Sequence, residues 1–405
     1  MLERYGHGGD LTTAEAVFGK PSDRFLDFSS NMNPLGPPDI VGKLLAEKWR
    51  ELARYPDPAV RGLRRTIAAR YRIPEESVLV GNGAAELIDL TVRALKPRRV
   101  GLARPSFSEY EEAALKIGAS VVDIPLTEAD GFALREQPVR EAAAACDLLV
   151  LGHPNNPTGR LADPDMLKRL ARDRVPLVVD EAFVDFAPDE RSASLIRLAA
   201  ESERLFVIRS MTKFFAIPGI RLGFMVAHPD AIRMLAGLQV PWSVNAIAQW
   251  IGEAVFEDGD FAERTHRWLA EERPWLADRL QALGLRVYPS DVNFLLASLP
   301  DRFGFGVKEL QRRMGEKGVL IRDASLFAGL GPAYVRVAVR LREENAVLIE
   351  RLGEALAELA AERDNVAAPV SASESAPPAA APTPEAAASA PDTAPAAAPD
   401  HSPAR

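Results

Sequence analysis

Between about residues 75 and 230, compact runs of Val, Leu and Ile alternate with stretches whose apolar positions recur every three or four residues. SVLVGNG (77–83) predicts a strand entering a glycine turn, and AAELIDLTVRAL (84–95) predicts a helix. RRVGLARP (98–105), ASVVDIP (119–125), CDLLVLGHP (146–154), VPLVVDEAF (175–183) and RLFVIRS (204–210) predict further strands. None of them alternates apolar with polar, so each is expected to be covered on both faces, as in a sheet flanked by helices. Strand–helix alternation of this kind predicts an α/β domain with a mainly parallel sheet. After a long amphipathic helix at 266–283 the pattern loosens. Short strands are expected near 285–288, 294–297, 319–321 and 334–339, with helices at about 306–315 and 342–363. That is an α+β pattern and predicts a smaller second domain, which the first 40 or so residues could join.

The expected organisation is therefore an amino-terminal arm and part of the small domain at 1–45, a large α/β domain at 46–264, and the small domain at 265–365. From Val366 onward the chain turns to Ala, Pro, Ser and Thr (APPAAAPTPEAAASAP). Proline at that density blocks regular helix and nothing there can build a core, so 366–405 is expected to be a disordered tail. The 405 residues are 47% hydrophobic and 26% charged, the balance of a globular protein. A net charge of -8 argues against a general nucleic-acid binder. Cys146 stands alone, so no internal disulfide or cysteine-based metal cluster can form. The five histidines show no metal-ligand spacing. The segment MLERYGHGGDL lacks the apolar centre of a signal peptide, and no stretch approaches a membrane span. A cytoplasmic location is expected.

Candidate chemistry gathers where strands end, the place at which open α/β sheets bind ligands. Gly81-Asn82-Gly83 leads into a helix, whose first amides at Gly83, Ala84 and Ala85 can hold an anion. Alone this is as well read as an ordinary turn, since it matches neither the dinucleotide nor the P-loop spacing. HPNNPTG (153–159) is equally a turn-rich loop. Asp180 closes VPLVVD, where a buried carboxylate needs a partner, although a helix cap would also explain it. Ser210 precedes Lys213 by three residues, and Lys213 lies in RSMTKFFAIPGIRLGF (209–224), an apolar run that also holds Arg221. An ammonium group in such a run either snorkels to water or has a chemical reason to be desolvated. Together these residues offer an anion cradle, a hydroxyl, an arginine, a carboxylate and a desolvated amine, the set that pyridoxal phosphate requires.

PNNPTG, VVDEAF and RSMTKFFAIPGIRLGF, in this order, resemble the fold-type I pyridoxal-phosphate enzymes. Within them the chain is similar to the branch of histidinol-phosphate aminotransferases and threonine-phosphate decarboxylases. HGGD, DFSSNMNPLGPP, RYPDP, PWSVNAIA and LIRDASLFAGLGPAYVRVAVR look more like the decarboxylases, which serve cobalamin biosynthesis. The resemblance implies a large domain with a mainly parallel, seven-stranded type of sheet, a smaller α+β domain, and a homodimer.

It further implies that Lys213 bonds covalently to the cofactor, Asp180 faces its ring nitrogen, Asn156 donates to its phenolic oxygen and Phe107 stacks on its ring. The phosphate would rest on Ala84, Ala85, Ser210 and Arg221, with Tyr55 reaching it from a second subunit. Arg336 would clamp a substrate carboxylate and Arg322 a substrate phosphate, while His7, Gly8 and Asn31 fold over the substrate. Arg340, in register with Arg336 on the same expected strand, is left unassigned.

Aminotransferases of this fold usually carry Tyr three residues after the ring-nitrogen Asp, where this chain has Phe183. The implied reaction is decarboxylation of L-threonine O-3-phosphate to (R)-1-amino-2-propanol O-2-phosphate, the alternative being histidinol-phosphate transamination. A silent pyridoxal-binding regulator would come with a basic DNA-binding helix-turn-helix, which the sequence does not show.

Overall fold

The computed structural model describes residues 2 and 8–367. His7, and all but the first two residues of the expected tail, lie outside the described residues.

The strands, in chain order, are β1 (Leu26–Asp27), β2 (Val78–Gly81), β3 (Arg99–Arg104), β4 (Ser120–Pro125), β5 (Leu148–Gly152), β6 (Leu177–Asp180), β7 (Leu205–Ser210) and β8 (Gly223–Val226). They are followed by β9 (Arg286–Val287), β10 (Phe294–Ser298), β11 (Val319–Leu320), β12 (Arg322–Asp323) and β13 (Tyr334–Ala338). Seven of them form one sheet in the order β2-β8-β7-β6-β5-β3-β4. It is parallel except for β8, which runs antiparallel to both β2 and β7.

The unalternating strands are apolar on both faces because both faces are buried. Leu177 and Val179 of β6 pack into one core and Val178 into another; Leu205 and Val207 of β7 separate from Phe206 and Ile208 in the same way. Strand β8 starts at the last two residues of the apolar run around Lys213 and continues to Val226. Without polar alternation, nothing in that run marks where turn gives way to strand.

β12-β13-β10-β9 form an antiparallel sheet, and β1 of the amino-terminal segment pairs in parallel with β11. The strand expected at 319–321 is two short strands serving different partners, β1 and β13. The long helix begins earlier than expected, at Gly259, because the Asp258 carboxylate accepts the Phe261 amide at 3.0 Å and caps it. The strand expected to reach 339 stops at Ala338. Arg340 therefore leaves the strand, donating to the Asp27 carbonyl at 3.2 Å and to Glu344 at 2.6 Å.

Candidate active site

The carboxyl ends of β2, β5, β6 and β7 share one edge of the large sheet, and a cavity of about 480 Å³ opens there. Gly81, Gly223 and Ser210 lie in one row across β2, β8 and β7. A Cβ on Gly223 would stand 2.8 Å from the Ala84 nitrogen, so the helix Ala84–Leu95 starts hard against the sheet edge. Gly83, at φ +88°, makes the turn into that helix, and a Cβ there would meet Arg221 Nη2 at 2.8 Å. The bare glycine lets the guanidinium approach the first amides of the helix, a concentration of donors suited to a dianion.

Lys213 sits on the short helical turn Met211–Phe214 that follows β7, and its Nζ donates to Ser210 Oγ at 3.3 Å. Phe214 and Phe215 are buried beside it and the Phe183 ring centroid is 5.8 Å from Nζ. Burial lowers the amine's pKa to about 8; Asp180 opposes the shift, and Arg221 and Arg336 add to it. That answers why an ammonium-bearing residue stands in an apolar run: the surroundings make its neutral form accessible. Asp180, 5% exposed, accepts the Tyr110 hydroxyl at 2.7 Å and the Ala182 amide at 3.0 Å. Burial raises its pKa, against those two hydrogen bonds and the nearby Lys213.

The opposite wall comes from the antiparallel sheet. Arg322 and Arg336 are direct partners across β12 and β13, and both are buried. Arg336 donates to Asn156 Oδ1 at 2.6 Å and to the Ser29 carbonyl at 2.7 Å. The Phe327 ring lies 5.3 Å from the Arg322 guanidinium and 5.8 Å from that of Arg336. The amino-terminal segment closes the cavity: Gly8 packs so tightly on the Ser29 carbonyl that a side chain there would collide with it. Asn31 lines the wall with its buried Oδ1 lacking a hydrogen-bond partner among the described residues.

The sequence matches the family Aminotransferase class I and II over residues 23–352. The chain belongs to that family. It is 37% identical over 361 residues to the threonine-phosphate decarboxylase of Salmonella typhimurium, covering 87% of this chain and 97% of that one. It is 34% identical over 366 residues to the histidinol-phosphate aminotransferase of an Anaeromyxobacter species, covering 88% and 97%. Among solved structures, the histidinol-phosphate aminotransferase of Clostridium acetobutylicum superposes with a TM-score of 0.77 at 29% identity, over 82% of this chain and 99% of that one. The protein is thus a fold-type I enzyme that uses pyridoxal 5'-phosphate.

The cavity suits that cofactor: an amine of lowered pKa, a buried carboxylate beyond it, and an anion cradle at a helix start that a Cβ on Gly83 would fill. Of the residues singled out by the sequence, Gly8, Asn31, Ala84, Ala85, Phe107, Asn156, Asp180, Ser210, Lys213, Arg221, Arg322 and Arg336 all line this one cavity. Gly83 backs Arg221 from behind the cradle. Tyr55 does not line it: the ring is 85% exposed and leans on Trp242, centroids 5.2 Å apart. Tyr110, Ser29 and Phe327 went unassigned in the sequence. Ser29 lies in DFSSNMNPLGPP and Phe327 in LIRDASLFAGLGPAYVRVAVR, while Tyr110 follows Phe107 by three residues, one helical turn.

Proposed function

We propose that this enzyme decarboxylates L-threonine O-3-phosphate to (R)-1-amino-2-propanol O-2-phosphate and carbon dioxide. The observation that carries the reading is the pairing of Arg322 with Arg336 across β12 and β13, both buried in the wall of the Lys213 cavity. Like charges directly opposite on a ladder repel, so the pair favours a ligand that places two anionic groups close together. A carboxylate and a phosphate on adjacent carbons meet that demand. Arg336 takes the carboxylate and Arg322 the phosphate, each through the guanidinium fork. Held at both ends, the substrate presents one chosen bond of its α-carbon.

Pyridoxal phosphate, held here, would supply a sink for the electrons of the broken α-carbon bond. Lys213 would hold the cofactor through its amine and would carry the proton that replaces the departing carboxylate. Asp180 would keep a proton on the ring nitrogen, and Asn156, whose oxygen is taken by Arg336, has its amide hydrogens left to donate to the ring oxygen. Phe107 would stack on the ring, and Ser210, Arg221 and the Ala84 and Ala85 amides would hold the cofactor phosphate. Gly8 and Asn31 belong to the segment that would cover the substrate. The exposed Tyr55 is assigned to the phosphate site of a second copy, which makes the working enzyme a homodimer, located in the cytoplasm; no helix among the described residues is long and apolar enough to cross a membrane.

Transamination of histidinol phosphate is the second reading, and the relatives bearing that name are the more numerous. Decarboxylation is supported by the higher identity to a named decarboxylase and by Phe183, which packs edge-on against Phe294 at 5.0 Å where a transaminase usually offers a hydroxyl. The deciding experiment supplies threonine phosphate and follows released carbon dioxide. No release, with glutamate formed from histidinol phosphate and 2-oxoglutarate, transfers the assignment to the transaminase. Protein that stays colourless in excess cofactor defeats both.

A further inference from the structure

Asp180 is held by a side chain that none of these roles uses. Tyr110 is 2% exposed and its hydroxyl donates to Asp180 Oδ2 at 2.7 Å, while the Ala182 amide donates to Oδ1 at 3.0 Å. An ionised carboxylate has about four acceptor sites, so each oxygen keeps capacity for a ligand. Tyr110 reaches it from another layer. It sits in the first turn of the helix Ser108–Lys116, directly after Phe107, and meets that ring edge-on with centroids 5.7 Å apart.

Between Tyr110 and Asp180 lies β5, whose last residue, Gly152, is the register partner of Asp180. A Cβ on Gly152 would stand 3.3 Å from the Tyr110 hydroxyl and 3.1 Å from Asn155 Cα, tighter than ordinary contact. The bare strand end gives the phenol its room. Burial and the neighbouring Asp180 charge push the Tyr110 pKa well above its usual value, so it remains a donor.

We infer that Tyr110 is a positioning residue for Asp180: a buried phenol, admitted beside Gly152, that keeps the carboxylate ionised and oriented toward the ring nitrogen of the cofactor. This rests on the role given to Asp180 above. The physical need is plain. Burial favours the neutral acid, and a neutral acid does not hold a proton on a pyridine nitrogen; a charge-assisted hydrogen bond returns the balance to the anion. The titratable groups facing Asp180 are Tyr110 and Lys213, and Lys213 is in turn influenced by Arg221 and Arg336.

The test compares wild-type, Tyr110→Phe and Gly152→Ala proteins. Tyr110→Phe is expected to weaken pyridoxal phosphate about 10-fold in titrations of apo-protein and to lower kcat about 10-fold with KM unchanged. It should also move the pH midpoint of the bound cofactor's visible band by about one unit. Gly152→Ala, which crowds the hydroxyl without removing it, should shift band and affinity in the same direction, and it carries the comparison should Tyr110→Phe not fold. A packing role alone would alter only the melting temperature of the apo-protein. Variants with wild-type cofactor affinity and band midpoint overturn the inference. Wild-type protein that takes up no cofactor overturns the reading beneath it, and the inference with it.

Discussion

Asp180 and Glu181 are sequence neighbours, both buried, and they anchor two ionic clusters of opposite character. On the cavity side, Asp180 and Glu109 line the wall together with Lys213, Arg221, Arg322 and Arg336. On the other side, Glu181 accepts Arg209 Nε at 2.8 Å, the Ser194 hydroxyl at 2.7 Å and the Leu195 amide at 2.7 Å. Arg209 also bonds Asp185 at 2.9 Å and Glu190, and lies 5.4 Å from the Tyr71 ring. Arg209 and Ser210 part at the end of β7 as the two acids do at the end of β6, because successive side chains on a strand point to opposite faces. One cluster joins a single arginine to three carboxylates and binds the polypeptide to itself. Among the described residues the other has more cations than anions, as a site for anions needs. Charges tied to one another by hydrogen bonds within the protein mark structure; cations gathered round an open cavity mark a site for anions.

That contrast can be broken experimentally. Lys213→Ala should cost at least about 1,000-fold in kcat while the melting temperature holds or rises, since a costly buried amine is lost. Turnover and a thermal melt check both halves. Arg209→Met strands Glu181, Asp185 and Glu190 and should destabilise the protein by about 3–5 kcal/mol in urea titrations. Wild-type stability in that variant would show the second cluster to be dispensable and the contrast false. Arg322→Ala should lower kcat/KM for threonine phosphate about 100-fold and for unphosphorylated threonine by no more than about 3-fold. Equal losses would remove Arg322 from phosphate recognition.

The smallest effect is one of pH. Lys213 attaches the cofactor only as a neutral amine, and its pKa is lowered to about 8. The rate of attachment to apo-protein should therefore climb as pH rises through about 8 and level above it. Arg336→Gln takes away a cation that disfavours the ammonium form, so the midpoint should move upward, by about a few tenths of a unit.

The strands and helices of the large sheet were legible because their coding is local. Unalternating Val, Leu and Ile runs mean strands covered on both faces, and Leu177, Val178 and Val179 divide between two cores as that implies. The cofactor motifs were legible for a related reason: each lies within a few residues of a strand end. β8 was not, since an apolar run has no period to read, nor was the early start of the long helix at Gly259.

What the chain determined by itself is the kind of chemistry: which amine, which acid, and which turns bear the donors, all set by residue type and short spacing. Only the folded molecule decided the partners. Residues 322 and 336 became neighbours through antiparallel pairing, residues 110 and 180 met beside a glycine on a third strand, and Arg340 was drawn off to Asp27 and Glu344. Apart from the local Arg340–Glu344 pair, those contacts join segments 14 to 313 residues apart, and no local pattern encodes which distant segment a side chain will meet.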